Sequence, residues 1–194
     1  MTSTKIENKI SLRCVQNADI ELRDVFVPDE DRLSLCNSFE DTNKVLGASR
    51  IMVAWAPVGL AMGAYDLALR YLSQRRQFGS TLDSFQLSQE KLGRMLGNIQ
   101  GMAMQAWRLT RLFEEGRASH ALISMTKAWN TLRGRECAAL ARELLGGNGI
   151  LSEFTGKAFC DAEALYTYEG TYDINSLVIG REVTGKSAIK APRK

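Results

Sequence analysis

The chain has 194 residues, 45% of them hydrophobic, which allows one domain or one and a half with a sizeable core. Its 25 basic and 22 acidic residues leave a net charge of +3, too balanced for a nucleic-acid binder. The four cysteines, Cys14, Cys36, Cys137 and Cys160, form no C-x-x-C pair, and a single histidine, His120, could join them; they read as free thiols in a reducing compartment rather than as zinc ligands.

The polar start, Met-Thr-Ser-Thr-Lys, is unlike a signal peptide. Residues 9–27 read as strand: Ile10, Leu12 and Cys14, then Ile20 and Leu22, alternate with polar neighbours. Asn17-Ala18-Asp19 is the expected turn between two strands, and Pro28 ends the second. Two or three strands cannot bury both faces alone, so this head reads as the end of a larger β-domain.

From about Asn43 the apolar period becomes helical. The first helix is expected to reach Arg75, with Val53, Leu60, Ala64, Leu67, Ala68 and Tyr71 inward and Pro57 bending it. Its uncharged run from Ile51 to Tyr65 is 15 residues, shorter than the roughly 20 that span a bilayer, and reads as a buried helix. Small residues at Gly59, Ala61, Gly63 and Ala64 would admit a neighbouring helix. Arg50 heads the apolar run and needs either an acid or a ligand's negative group. Arg75-Arg-Gln-Phe-Gly79 reads as the helix end with Gly79 at C′, or as an anion clamp beside the Phe78 ring.

A second helix spans about 84–116. Leu87, Leu92, Met95, Leu96, Ile99, Met102, Ala103, Ala106, Leu109, Leu112 and Phe113 form its stripe, the methionines as core filler. A third spans about 119–145, with Ile123, Ala128, Trp129, Leu132, Cys137, Leu140, Ala141 and Leu144 inward. His120, after a Gly-Arg-Ala-Ser turn, reads as a surface residue. Gly146-Gly-Asn-Gly149 stops this helix; it follows a helix rather than a strand, so a dinucleotide fingerprint fails on context. A short helix at about 155–164 and a last one at about 172–185 follow. Three long helices with short connections must form an up-down bundle, so the fold class is mainly α. The basic last residues, 185–194, read as a solvated tail.

The stretch Tyr166-Thr-Tyr-Glu-Gly-Thr-Tyr-Asp-Ile-Asn175 places one carboxylate, Glu169, among Tyr166, Tyr168 and Tyr172 at a helix entrance that Thr171 can cap. Read alone it is either a capped loop with a solvated acid or a candidate general base.

Four motifs together carry a resemblance: Arg75-Arg-Gln-Phe-Gly79, Phe85-Gln-Leu-Ser-Gln-Glu-Lys-Leu92, Leu144-Leu-Gly-Gly-Asn-Gly-Ile150 and Tyr168-Glu-Gly-Thr171. In this order and spacing they resemble the C-terminal part of the acyl-CoA dehydrogenase and oxidase superfamily. Residues 12–20, 25–33, 167–175 and 180–185 look most like the plant peroxisomal short-chain acyl-CoA oxidases, and glutaryl-CoA dehydrogenases come next. The resemblance divides the chain into the end of a middle β-domain at 1–35, a helical bundle at 36–190 and a basic tail at 191–194. Members run to about twice this length, so the chain reads as the later part of such an enzyme.

The resemblance implies FAD-dependent α,β-dehydrogenation of a short-chain acyl-CoA to a trans-2-enoyl-CoA. Glu169 matches the base that takes the α-proton while the β-hydrogen leaves as hydride to the flavin. The thioester oxygen would be held by the base's own N–H and a flavin hydroxyl. Arg50 and Gly170 match substrate neighbours. Arg75, Gln77, Phe78, Phe85 and Gln86, with Glu143, Leu144, Leu145, Gly146 and Gly147, match cofactor contacts, several of them to the FAD of a neighbouring subunit. Thr171, Tyr172 and Asp173 match residues at the FAD pyrophosphate, beside a helix N-terminus that favours anions. Glu143 and Asp173 are departures, since several members carry Gln at each. The implied partners are an acyl-CoA and further copies of the chain as a dimer of dimers sharing FAD, with no nucleic acid and no membrane. The implied acceptor is oxygen and the implied location the peroxisome, although Ala-Pro-Arg-Lys194 is not a peroxisomal tripeptide. The alternatives are a dehydrogenase of the mitochondrial matrix or cytoplasm, and a non-catalytic oligomerisation fragment.

Overall fold

A computed structural model describes residues 1–38 and 41–187, so the expected tail at 191–194 lies outside the described residues. Its elements are β1 (Thr2–Lys5), β2 (Ala18–Glu21), α1 (Thr42–Gln74), β3 (Arg76–Gln77), β4 (Ser80–Thr81), α2 (Gln86–Glu114), α3 (His120–Leu144), α4 (Gly156–Thr167) and α5 (Tyr172–Thr184). The fold is mainly α, as the periodicity requires.

The three long helices run up, down and up. Ile51 and Ala54 at the start of α1 meet Leu109 near the end of α2 and Ile123 at the start of α3. Ala64 and Ala68 further along α1 meet Met95 on α2 and Cys137, Leu140 and Ala141 on α3. Each large apolar side chain buried here, such as Met95, Met102 or Leu109, contributes about 1.5–3 kcal/mol. Helices α4 and α5 pack on α3.

The inward line of α1 differs from the expected stripe. Ala54, Val58, Ala61, Ala64, Ala68 and Leu72 are buried, while Val53, Leu60, Leu67 and Tyr71 flank them half-exposed. Alanine fills most of this line, so the helices approach closely. Gly59 and Gly63 do not make that approach, having open space where a Cβ would be. It is made at Gly134 of α3, where a Cβ would lie 2.6 Å from the Pro57 Cβ. The helix continues through Pro57, and beside it the buried Asn130 side chain donates to the carbonyls of Ala54 (2.9 Å) and Met102 (3.1 Å), tying all three helices together. On α2, Leu87, Leu96 and Phe113 are exposed rather than inward, and on α3 so is Trp129.

The head also departs from expectation. The strands are Thr2–Lys5 and Ala18–Glu21, paired antiparallel with Thr2 opposite Glu21. Ala18 and Asp19 are thus strand, not turn. Residues 9–17 form a loop around the Lys9 ammonium, which donates to the carbonyls of Leu12 and Val15 and to the Asn17 side chain. Leu12 takes φ +48°, which no strand tolerates. The loop docks on α4, where Asp161 accepts from the Ser11 hydroxyl and the Leu12 N–H, each at 3.0 Å.

Gly79 is likewise not a helix cap. Helix α1 ends at Gln74, and Arg76 and Gln77 pair with Thr81 and Ser80. Phe78 (φ +54°) and Gly79 (φ +81°) form the two-residue turn, both with the positive φ that a type I′ hairpin requires.

Candidate functional site

The loop between α4 and α5 brings Glu169 to the start of α1. Thr171 caps α5 by accepting from the Ile174 N–H at 3.2 Å. Ahead of it, Glu169 and Gly170 both take positive φ, +57° and +84°. Glycine suits Gly170 twice over, because a Cβ would also lie 3.0 Å from the Asn175 amide nitrogen. The Tyr166 and Tyr172 rings stack at 5.4 Å, and the Arg135 guanidinium lies 4.1 Å from the centre of Tyr166, bracing the loop from outside.

The Glu169 carboxylate accepts from the Ser49 hydroxyl at 3.0 Å. Arg50, only 9% exposed, donates from Nε to the Glu169 carbonyl at 3.2 Å, and its Nη1 lies 3.1 Å from His120 Nε2. A guanidinium only donates, so this contact requires a neutral imidazole with Nε2 accepting. Consistently, burial, then Arg50 and Arg181, lowers the His120 pKa. His120 is exposed, as expected, yet it reaches the site. Burial and the nearby Glu169 raise the Tyr168 pKa.

Three groups at this site were missed in the sequence. Ser49 carries no motif. Asn175 is fully buried and donates to the carbonyls of Gly170 (2.8 Å) and Thr171 (3.0 Å). Lys127 is fully buried, and its Nζ donates to the Gly170 carbonyl at 2.7 Å and the Tyr166 carbonyl at 3.4 Å. Burial, then the charge of Arg50, pulls its pKa down to about 8, with Glu169 opposing. A signal existed: Ile123, Lys127, Asn130, Gly134, Cys137 and Ala141 recur at steps of four and three, so Lys127 occupies an inward position.

The candidate cofactor residues form two groups at opposite ends of the bundle. Thr171, Tyr172 and Asp173 adjoin Glu169. Arg75, Gln77, Phe78, Phe85 and Gln86 lie beyond the far end of α1; Arg50 and Arg75 are about 37 Å apart along the helix at 1.5 Å per residue. Glu143, Leu144, Leu145, Gly146 and Gly147 belong to that far end, since Asn148 donates to the Tyr71 hydroxyl at 3.2 Å and Glu143 pairs with Lys91 at 3.2 Å.

Each group fits part of a dinucleotide. Phe78 is 91% exposed, held in a left-handed conformation edge-on to Phe85 at 6.1 Å, with Arg75 and Arg76 exposed beside it. A flat ring with cations suits an aromatic ligand carrying phosphates. The backbone at Gly146 and Gly147 is open to close approach. The Leu145 side chain is buried in the core, so it could offer only its backbone. At the other end, the first-turn N–H groups of α5 suit an anion, although Asp173 adds a negative charge there.

The family model described as acyl-CoA dehydrogenase, C-terminal domain, matches residues 39–184. The chain belongs to the acyl-CoA dehydrogenase family. It is 30% identical over 189 residues to the mitochondrial 2-methylacyl-CoA dehydrogenase of Solanum tuberosum, covering 94% of this chain and 44% of that protein. It is 29% identical over 177 residues to the caffeyl-CoA reductase-Etf complex subunit CarC of Acetobacterium woodii, covering 90% and 47%. Among solved structures it resembles a glutaryl-CoA dehydrogenase from Mycobacterium smegmatis in complex with FADH2, with a TM-score of 0.94 and 29% identity over 97% of this chain and 49% of that one. The chain thus spans about half the length of the relatives it matches.

Proposed function

We propose that this chain carries the base and part of the cofactor site of an FAD-dependent enzyme that dehydrogenates an acyl-CoA thioester between Cα and Cβ. The observation that carries the reading is Glu169: a carboxylate on a constrained loop, oriented by Ser49, beside the buried cations Arg50 and Lys127. Bound FAD would supply the hydride acceptor. Glu169 takes the α-proton. Arg50 holds the Glu169 carbonyl and so keeps the loop against α1. The glycine at 170 keeps the base uncrowded on its far side. Thr171, Tyr172 and Asp173 would adjoin the pyrophosphate of one FAD, and the far-end group would reach the FAD of a second copy, because 37 Å of helix separates the two sets. Glu143, engaged with Lys91, would meet that second FAD through its neighbouring backbone.

The relatives named above are dehydrogenases and a reductase subunit, so the reading proposed is dehydrogenation. Oxygen as acceptor, short-chain preference and a peroxisomal location rest on the resemblance of residues 12–20 and 167–175 to the plant oxidases. A mitochondrial dehydrogenase is supported as well by the relatives. The test is to add FAD and butyryl-CoA to the purified chain without oxygen, then admit oxygen. Retained flavin that bleaches supports the reading; peroxide on admission of oxygen assigns the oxidase branch. A chain that retains no flavin contradicts catalysis by this chain alone.

The separation of the two cofactor groups favours a second reading, a module that assembles with copies of itself or of longer relatives without catalysis. Sedimentation would show an oligomer that takes up no FAD; a clean monomer excludes it.

A further inference from the structure

Lys127 sits two turns into α3 with no exposed surface, and both of its acceptors are main-chain carbonyls. Burying an ammonium is costly unless it is well bonded or neutralised. Its two acceptors, Tyr166 and Gly170, bracket the residue read as the base. The Gly170 oxygen also accepts from Asn175 of α5, and the Glu169 oxygen from Arg50 of α1. Three helices therefore send a donor each to two successive carbonyls.

The loop needs such a clamp. Glu169 and Gly170 are successive residues at positive φ, and the glutamate has a Cβ that disfavours that conformation. Backbone strain of this kind persists only where the surroundings over-determine it. Asn175 bonds the carbonyls of Gly170 and Thr171 and Arg50 that of Glu169; among the described residues Lys127 alone bonds both Tyr166 and Gly170.

We propose that Lys127 is the positioning residue of this site: its donation to Gly170 and Tyr166 holds Glu169 in its left-handed conformation and so fixes where the carboxylate stands. The consequence for catalysis rests on the reading of Glu169 as the base; the clamp does not. With its pKa near 8 the group loses its charge in mildly alkaline solution, but a neutral amine still donates, so the clamp survives deprotonation.

The role requires a donor and not merely volume, which separates it from core filling. Amide hydrogen exchange by mass spectrometry on the whole chain tests this with Lys127→Met, Lys127→Gln and Glu169→Gln. In Lys127→Met, which keeps the volume and loses the donor, residues 166–171 exchange at least about tenfold faster while residues 92–109 of α2 keep their rates. Lys127→Gln, which keeps a donor, lies nearer to wild type. Glu169→Gln leaves loop protection unchanged, so loss of the base and loss of the clamp are read separately. Wild-type exchange in Lys127→Met, or equal loosening in Lys127→Gln, overturns the proposal. Should Lys127→Met not fold, the wild-type chain labelled with ¹⁵Nζ-lysine gives a second reading: one solvent-protected lysine resonance with a cross-peak to the Gly170 Hα protons. Absence of that resonance also overturns it.

Discussion

The hydroxyl of Ser49 on α1 donates to Oε2 of Glu169 at 3.0 Å, across 120 residues of sequence. That contact holds one oxygen of the carboxylate; on the proposed reading the other takes the α-proton. Removing a hydrogen bond of this kind costs about 1 kcal/mol, or roughly fivefold in rate. Ser49→Ala is therefore expected to slow flavin reduction by an acyl-CoA about fivefold and to lower stability by no more than about 1 kcal/mol. Stopped-flow reduction and a melting curve check the two halves.

The contact of Gly134 with Pro57 predicts an opposite pair of effects. A Cβ at 134 meets the Pro57 Cβ at 2.6 Å, and both atoms are tied to helix backbone. Gly134→Ala should destabilise the chain by about 1–3 kcal/mol through overpacking. Gly97→Ala on the exposed side of α2, where a Cβ meets nothing within 4 Å, should be neutral or stabilising by up to about 1 kcal/mol. Urea unfolding of the two variants decides it.

Lys127 gives stability a definite dependence on pH. Its folded pKa, about 8, is below the unfolded 10.5, so between those values the unfolded chain binds more protons and stability rises with pH. The penalty is fully present below pH 8 and is relieved above it. Between pH 7 and 9 wild type should gain about 1 kcal/mol relative to Lys127→Met. Urea midpoints of both proteins at the two pH values measure the difference.

Asp161 anchors the head to the bundle. Burial would raise its pKa, but Lys157, the Leu12 N–H and the Ser11 hydroxyl together outweigh this and hold it below the ordinary carboxylate range. A lowered carboxylate pKa contributes stability above the unfolded value that is lost as pH falls through the folded one. Asp161→Ala should therefore release residues 1–35 to limited proteolysis at neutral pH while the bundle resists. Wild type should show the same release only in strong acid.

Much of this fold was legible because α1, α2 and α3 repeat apolar residues at helical spacing over long stretches. Thr171 announced its helix, capping the N–H three residues on. The head was misread because Ile10, Leu12 and Cys14 alternate like a strand while Lys9 folds them into a loop. The hairpin at Phe78 was missed because nothing in a phenylalanine signals positive φ. At the site, Glu169, Arg50 and Thr171 stood out as polar residues at element ends. Lys127 and Asn175 did not, since a polar residue inside an apolar stripe resembles a gap in the pattern. Their role is set by two carbonyls on a distant loop, which only the packing of α3 and α5 brings near.

The central claim is that Glu169 is the base. The direct measurement compares anaerobic flavin reduction by butyryl-CoA in wild type and Glu169→Gln, with bound FAD quantified in both. Glutamine keeps the shape and an acceptor for Ser49 but cannot take a proton at neutral pH. The account predicts equal FAD retention and reduction slowed by about 10²–10⁴-fold. Reduction of Glu169→Gln at the wild-type rate would contradict it.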